Sequence, residues 1–324
     1  MFGQDGFPNL RRFAQRRSSW LHNSCMSAFV MEHADVTGRI AELWIYPIKS
    51  CAGVQVQEAK LVATGLEWDR AWMVVDAHGQ FLTQRELPQM ALIRPTLDMA
   101  AQQLHVQAPG MPTLTLPLEL PLLQPMSQRR VQVWRSEVMA WDMGEAATQW
   151  FSQVLGQTCH LVRFDPAQKR YSNTKWTAGI QAPNQFADGY PLLVITDSAV
   201  VALNQRLQAQ GVQPVTGLRF RANVVLGDLQ DHEEDYIETL WIESGADALA
   251  ALHLGKPCSR CPIPNIDPVT AQSSPEVMAT LSQYRQDARL DGSITFGMNA
   301  CIAQGQGHVL RVGQLVGGQL KFEA

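Results

Sequence analysis

Apolar and polar residues alternate in short segments through most of the chain after Gly38. Because successive side chains of a strand point to opposite faces, this period of two predicts half-buried strands. The segments of this kind in the first 140 residues are 54–57, 71–75, 80–83, 104–106, 113–116 and 130–134. Segments 71–75 and 80–83 are predicted to form a hairpin, since Gly79 can take a positive φ in the turn between them. This part of the chain is therefore predicted to be mainly β.

Three later segments have the spacing of apolar residues that is typical of helices. The first is predicted to begin at Asp142, whose carboxylate can cap free amides together with Glu145, and to end at Gly156. The second is predicted over 197–210, where apolar side chains share one face before a glycine, and the third over 275–285.

Further strands are predicted over 221–226, 309–312, 315–316 and 320–322, with a turn at Gly317 and Gly318 between the last two. A few helices scattered among many strands favour a mainly β fold of the α+β class, with barrel-like sheets and attached helices. A regular βαβ succession is not indicated.

Composition excludes several classes of protein. Of the 324 residues 46% are hydrophobic and 17% are charged, which excludes disorder as the main state and allows two domains. The net charge of −4 gives no electrostatic footprint for nucleic acid or an anionic membrane. Since no run of about 18 uninterrupted apolar residues occurs, we expect no transmembrane segment. The six dispersed cysteines indicate a reducing compartment, and we expect a cytoplasmic protein.

Residues 1–35 differ from the rest of the chain because they are basic, rich in serine and poor in acidic residues. That composition is used by transit peptides, and it also fits an unstructured extension or an upstream start codon. We interpret the segment as a disordered extension, because it lacks the apolar stretch of a secretory signal.

The strongest local motif is the pair Cys258 and Cys261 with Arg260 beside the second thiol. Two thiols at this spacing can bind zinc, form a redox disulfide, or leave one thiolate for another ligand, and two inert buried cysteines are the plain alternative. Zinc needs further ligands, which the sequence supplies only as isolated cysteines and a nearby histidine. The adjacent cation favours a thiolate, which soft metals prefer.

Several cations lie in surroundings that suit a bound anion. Lys49 and Ser50 stand on a glycine-containing loop after a strand, which can hold a phosphate but equally forms ordinary turns. Arg70 and Arg221 lie inside apolar segments, where a guanidinium needs an anionic partner or many hydrogen bonds. A neighbouring carboxylate would also satisfy them.

These motifs occur together in the order seen in MOSC-domain proteins, and the chain resembles in particular the mitochondrial amidoxime-reducing components and their bacterial relatives. The resemblance covers roughly residues 37–320. It rests on YPIKSCAG at 46–53, DRAW at 69–72, TQRE at 83–86, FADGYPLL at 186–193, FR at 220–221, CSRC at 258–261 and DP at 267–268.

The resemblance implies a molybdenum cofactor, molybdenum bound to molybdopterin, between an N-terminal β-barrel domain at 36–165 and a MOSC domain at 166–324. It implies that Cys261 is the metal ligand and central to catalysis. The residues implied to hold or touch the cofactor are Lys49, Ser50, Arg70, Gly189, Tyr190, Arg221, Ser259 and Asn299. Asn299 replaces a tyrosine of the mitochondrial enzymes, and Asp267 is a candidate proton relay or a turn residue.

The implied activity is reduction of small N-oxygenated substrates such as hydroxylamines, amidoximes and N-hydroxylated bases. Only Cys301 follows Cys261, so the chain lacks the four clustered cysteines of an iron–sulfur domain. Electrons are therefore expected from a separate ferredoxin-like or cytochrome-like carrier with its reductase. The alternatives are a non-catalytic carrier of the cofactor or of sulfur, and a zinc-stabilised binding module.

Overall fold

A computed structural model describes residues 30–120, 127–245 and 248–321, and strands dominate it as the sequence predicts. The strands in chain order are β1 (Val36–Ile45), β2 (Val54–Val56), β3 (Glu58–Val62), β4 (Gly65–Leu66), β5 (Trp72–Asp76), β6 (Arg94–Asp98), β7 (Gln103–Gln107), β8 (Leu114–Pro117), β9 (Gln128–Val133), β10 (Ser136–Asp142), β11 (Cys159–Phe164), β12 (Leu192–Thr196), β13 (Val224–Gly227), β14 (Ile237–Glu243), β15 (Leu249–Ser259), β16 (Gln286–Asp287), β17 (Ser293–Gln304), β18 (Val309–Arg311) and β19 (Leu315–Leu320). The α-helices are α1 (Glu145–Leu155), α2 (Asp197–Ala209) and α3 (Glu276–Ser282).

Seven strands form a closed barrel in the order β12, β13, β1, β19, β14, β15 and β17, and β17 pairs with β12 to close it. The β12–β13 pair is parallel and the other neighbours are antiparallel. Closure leaves these strands without a free edge. The strand β1 lies between β13 and β19, so the first strand of the described chain completes a barrel that is otherwise built from the second half.

The barrel encloses an aliphatic core that includes Ile40, Leu226, Leu240 and Leu252, all with no exposed surface. Alternation within the strands produces this core, because every second side chain of each strand points inward. Burial of each such side chain contributes roughly 1.5–3 kcal/mol, which makes the barrel a rigid support for the loops at its ends.

A four-stranded half-barrel in the order β5, β11, β10 and β9 is built from the first half of the chain. Helix α1 and the sheet of β6, β7 and β8 pack against it around the fully buried Trp72, Phe151 and Leu161. The third small sheet contains β18, β3 and β4. No helix in the described ranges combines the length and the apolarity that crossing a bilayer demands.

Helix α1 begins at Glu145, three residues later than predicted, and ends at Gly156 as predicted. The prediction is wrong about Asp142, which is the last residue of β10. Its Oδ1 accepts a hydrogen bond from the amide of Gly144, and its Oδ2 accepts one from Arg129. The carboxylate therefore stabilises the turn before the helix and does not cap the helix itself.

The predicted turn at Gly317 and Gly318 is also wrong, because both residues lie inside the continuous strand β19. A Cβ at Gly317 would lie 2.8 Å from the Cβ of Ala34 and 3.0 Å from the sulfur of Met31. Gly317 therefore allows a neighbouring segment to approach the strand closely, which is the other common use of glycine in a sheet.

That segment comes from the predicted N-terminal extension, of which residues 30–35 are described and 1–29 lie outside the described residues. The amide of Asp35 donates to the carbonyl of Gly318 at 3.0 Å, and the Asp35 carboxylate accepts from the amide of Leu320 at 2.8 Å. Residues 31–35 are thus part of the folded body at β19.

Candidate cofactor cavity

A cavity opens at one end of the barrel, where loops of the barrel face the half-barrel. Its narrow inner part has a volume of about 130 Å³ and adjoins a wider outer part of about 660 Å³, with which it shares lining residues that include Thr83, Trp134 and Asp188. Nine of the ten predicted site residues line the inner part: Lys49, Ser50, Arg70, Gly189, Tyr190, Arg221, Ser259, Cys261 and Asn299. The fold brings them together from positions up to 250 residues apart, because loops before or after several strands meet there beside Asn299, which lies within β17.

Three of these residues have left-handed backbone conformations that residues other than glycine rarely adopt. The φ angles are 65° at Ser50, 49° at Arg70 and 59° at Arg221. Such conformations cost of order 1–3 kcal/mol each and cluster at functional sites. Each turns the chain sharply at a loop next to the start or end of a strand, so that its side chain lines the cavity.

Arg70 and Arg221 both stack on Tyr46, with the guanidinium carbons 4.4 and 4.3 Å from the ring centroid. Arg70 Nη2 donates to the carbonyl of Arg221 at 3.0 Å, and Arg221 Nη1 donates to the carbonyl of Cys51 at 2.7 Å. Tyr46 is 1% exposed, and burial raises its pKa to about 12, so the phenol stays neutral. Cation–π attraction to the ring offsets the repulsion between the two guanidiniums.

The charge balance of the inner cavity is positive. Arg70 pairs with the buried carboxylate of Asp69, and Lys49 pairs with Asp188. Arg221 and Arg260 form no ion pair with any residue in the part of the chain that the structure describes. Burial lowers the pKa of Arg221, but a guanidinium remains charged at neutral pH. Two uncompensated cations on one small cavity favour an anionic ligand.

The guanidinium of Arg260 has a hydrogen-bond donor that the protein leaves without an acceptor. One of its nitrogens, Nη1, donates to the sulfur of Cys258 at 3.1 Å, and Nη2 donates to the carbonyl of Phe220 at 2.9 Å. Its Nε is buried and has no hydrogen-bond partner among the described residues. A buried donor of this kind costs about 1–3 kcal/mol unless a ligand or water accepts from it.

The two cavity cysteines have different surroundings. Cys258 packs against the apolar cluster around Phe220 and accepts the hydrogen bond from Arg260. Cys261 is half-buried on the loop that follows β15, and its thiol has no hydrogen-bond partner within the described ranges. Of the two sulfurs, that of Cys261 is the less engaged by the protein.

The other described cysteines are ordinary core residues. Burial raises the pKa of Cys51 to about 12, of Cys159 to about 11 and of Cys301 to about 12, so all three stay protonated and unreactive. Among the described residues, no three His, Cys, Asp or Glu side chains are grouped so that they could hold a metal ion. The ligands that a zinc site at Cys258 and Cys261 would need are thus not gathered there.

Asp267 is the one predicted site residue that does not line the cavity. Its Oδ1 accepts from the amides of Val269 and Thr270, and its Oδ2 accepts from Arg219 Nη2 at 2.9 Å. Arg219 also donates to the carbonyls of Pro264 and Asn265. This arrangement matches the turn-forming interpretation of Asp267, and it uses Arg219 to brace the loop that follows Cys261.

The sequence did not single out Asp188, Trp134 or Arg85 as cavity residues, or Tyr46 as the support of the two guanidiniums. Asp188 accepts hydrogen bonds from Lys49 Nζ and, at 2.9 Å, from Trp134 Nε1. Tyr46, Arg85 and Asp188 lie inside the motifs quoted above, so their neighbours carried a signal. Trp134 stands in the β9–β10 turn, and no pattern in the sequence marks that turn as close to the cavity.

The chain matches two protein families. Residues 37–158 match the MOSC N-terminal beta barrel domain, and residues 181–317 match the MOSC domain. The two matched segments together supply all nine of the predicted residues that line the inner cavity.

Relatives of known name are similar to the chain over most of its length. The mitochondrial amidoxime-reducing component 1 of Mus musculus is 31% identical over 303 residues, which cover 86% of this chain and 85% of that protein. The Homo sapiens counterpart is 33% identical and covers 77% of this chain and 72% of its own length. The molybdenum cofactor sulfurase of Homo sapiens is 30% identical over 84% of this chain, which spans 31% of that protein.

Proposed function

The chain belongs to the MOSC-domain family, and on this premise we propose that it binds a molybdenum cofactor and reduces N-oxygenated compounds. The reaction class takes up two electrons and two protons for each N–O bond and releases one water. The supporting relatives are named for amidoxime reduction and match the chain over most of their own length.

The residues of the inner cavity fit such a cofactor in their chemistry. A phosphorylated pterin is anionic, and the cavity offers the uncompensated guanidiniums of Arg221 and Arg260 together with Lys49 and the Ser50 hydroxyl. The buried Nε of Arg260 needs an acceptor that the described residues do not provide. Cys261 offers a thiol on the same cavity, and thiolate sulfur is a preferred ligand of soft metals.

In this assignment the chain binds, orients and encloses, while the hard chemistry belongs to the cofactor. Molybdenum, when bound, would supply the two-electron chemistry that removes oxygen from nitrogen. Cys261 would hold the metal, and Arg70, Arg221 and Lys49 would hold the phosphate and the pterin. Tyr190 and Asn299 would limit how the substrate approaches the cofactor, since Tyr190 lines both parts of the cavity and Asn299 lines the inner part.

One observation carries the proposal: a half-buried thiol and two guanidiniums without carboxylate partners face the same cavity, which opens into a wider one. The test is to purify the protein, measure molybdenum, zinc and pterin per chain, and assay benzamidoxime reduction with a reduced viologen as the electron donor. We expect molybdenum and pterin near one per chain, and turnover that Cys261→Ala abolishes. Zinc without molybdenum would overturn the proposal.

The similarity to molybdenum cofactor sulfurase favours a second candidate, a carrier that binds the cofactor or a persulfide and delivers it to another protein. The same experiment separates the two candidates. Full cofactor content with no turnover of benzamidoxime or hydroxylamine, under conditions where a known reductase is active, would favour the carrier.

A further inference from the structure

Aromatic side chains line the outer cavity, and the cofactor binding proposed for the inner cavity gives them no role. Trp134 is 43% exposed and Tyr171 is 46% exposed, and both line this cavity of about 660 Å³. The ring of Tyr171 contacts no other aromatic ring or cation within the described residues, and nearly half of the residue is exposed. An exposed aromatic ring beside a cavity is a stacking surface for a planar group.

Trp134 forms another wall of the outer cavity, and several contacts hold its side chain in place. Trp134 has a φ of 54° in the turn between β9 and β10, and its Nε1 donates to Asp188. The guanidinium of Arg85 lies 4.7 Å from the centroid of the Trp134 ring, and Phe81 lies 5.2 Å from it at a tilt of 55°. A surface tryptophan held by this many contacts is preorganised and loses little entropy when a ligand binds beside it.

The same cavity has an excess of positive charge. Arg85, Arg135 and Lys256 line it, and none of them forms an ion pair in the parts of the chain that the structure describes. Its two carboxylates are engaged, since Glu86 accepts from the Thr83 hydroxyl and Asp188 accepts from Lys49 and Trp134. The free cations are therefore available to an anionic group.

Buried polar atoms without partners also lie in this wall. Asn184 is 2% exposed and Arg170 is 8% exposed, and both line the outer cavity. The Oδ1 of Asn184 and the Nε of Arg170 have no hydrogen-bond partner among the described residues. Unsatisfied groups at this burial indicate that something polar, a ligand or ordered water, completes the wall.

We propose that the outer cavity is a specificity subsite for planar N-oxygenated substrates that carry an anionic substituent, either a carboxylate or a phosphate. The ring of the substrate stacks on Tyr171 against the wall that Trp134 and Arg85 form, and Lys256 and Arg135 attract the anion. This inference rests on the proposed function, which it extends from the reacting N–O group to the rest of the substrate.

The first test compares 4-carboxybenzamidoxime with its neutral amide isostere, 4-carbamoylbenzamidoxime, at low salt. We expect kcat/KM to favour the carboxylate about five- to tenfold, mainly through KM, because two or three partly exposed cations each contribute modestly. The preference should fall toward one in 0.5 M salt, since solvent screening weakens exposed pairs. An N-hydroxylated nucleoside and its 5′-monophosphate form the second pair, which distinguishes phosphate from carboxylate recognition.

Single substitutions test which residues cause the preference for the carboxylate. Lys256→Gln and Arg135→Gln should each reduce it two- to fourfold with the turnover of the neutral amide unchanged, and Tyr171→Leu should weaken both compounds through KM. Lys175→Gln is the matched control, because Lys175 is an exposed cation that stacks on Trp176 and lines neither part of the cavity. An equal loss of preference in Lys175→Gln would overturn the assignment to the outer cavity.

A binding measurement without turnover separates this inference from the proposed function. Terephthalamate, which cannot be reduced at nitrogen, should show stronger saturation-transfer NMR signals than neutral terephthalamide, and Lys256→Gln should reduce the difference. If neither amidoxime is reduced but this difference is found, the proposed function is wrong and the subsite stands. If both amidoximes are reduced with equal kcat/KM and terephthalamate has no advantage, the subsite is wrong and the proposed function stands.

Discussion

Replacement of Tyr46 by leucine tests how the cation pair of the inner cavity is held. Its ring contacts two guanidiniums, whose carbons lie 4.4 and 4.3 Å from the ring centroid, and the side chain is almost completely buried. Desolvated contacts of this kind contribute about 1–2 kcal/mol each. Without these contacts the repulsion between Arg70 and Arg221 is no longer offset. Tyr46→Leu should therefore destabilise the arrangement of the two guanidiniums by about 2–4 kcal/mol.

The expected effect is on ligand retention. If that energy is lost from the cavity that binds the anion, affinity for the cofactor falls by about 30-fold or more, since each 1.4 kcal/mol is a factor of ten. The molybdenum and pterin content per chain after purification measures this loss of affinity directly. The thermal midpoint of cofactor-free protein reports separately on the fold, which should lose about 2–4 kcal/mol from the truncated aromatic core.

Tyr46→Phe is the matched control. It keeps both faces of the ring and removes only a hydroxyl that has no hydrogen-bond partner among the described residues. Cofactor content should therefore stay at the level of the unmodified protein, and stability should be equal or slightly higher. If Tyr46→Phe loses the cofactor as Tyr46→Leu does, the phenol and not the ring face is responsible, and the reasoning from cation–π contacts is refuted.

The remaining predictions concern the metal ligand, the anion pocket, a buried carboxyl and the electron supply. Cys261→Ala should abolish both molybdenum binding and turnover while Cys258→Ala retains some of each, and elemental analysis that shows the reverse pattern would overturn the assignment. Arg221→Ala should lower pterin content about tenfold or more, because charge-assisted contacts contribute ~1.5–3 kcal/mol each; full pterin content would contradict it. Burial raises the pKa of the fully buried Glu234 to about 8, so the folded state binds this proton more tightly than the unfolded chain and stability falls as pH rises toward 8. In the unmodified protein the free energy of unfolding should fall by ~2 kcal/mol between about pH 6.5 and 8, and Glu234→Gln should remove this fall. Urea unfolding at several pH values measures it, with Glu238→Gln, at an exposed position, as the control. The isolated protein should reduce hydroxylamine with a reduced viologen but stay at background with NADH until a reductase and an electron carrier are added.

Local pattern was sufficient for the elements whose side chains alternate or repeat regularly. The predicted strand over 104–106 lies within β7, and helix α2 covers Asp197–Ala209 where 197–210 was predicted. The pattern was insufficient where one residue serves two purposes. Asp142 has the chemistry of a cap but accepts from Arg129, and the paired glycines of β19 admit a packed segment where a turn was expected.

Many residues that line the cavity could be predicted from the sequence, but their arrangement in space could not. Motif order brought in Lys49, Arg70 and Arg221, yet nothing in the sequence indicates that the Tyr46 ring contacts two of them or that Ser50 has a left-handed backbone. These features depend on contacts between residues more than 150 positions apart, and periodicity reports only on near neighbours. Asp267 shows the converse, since proximity to Cys261 in sequence did not place it in the cavity.

The position of β1 determines when the barrel can form during synthesis. The strand is among the first parts of the described chain to leave the ribosome, but one of its neighbours, β19, is among the last. The half-barrel strands β5, β9, β10 and β11 are complete about 150 residues earlier, so that unit can pack while β1 has only β2 as a neighbour. Pairing across so long a separation is slow, so closure of the barrel around β1 must wait for strands from the far end of the described chain.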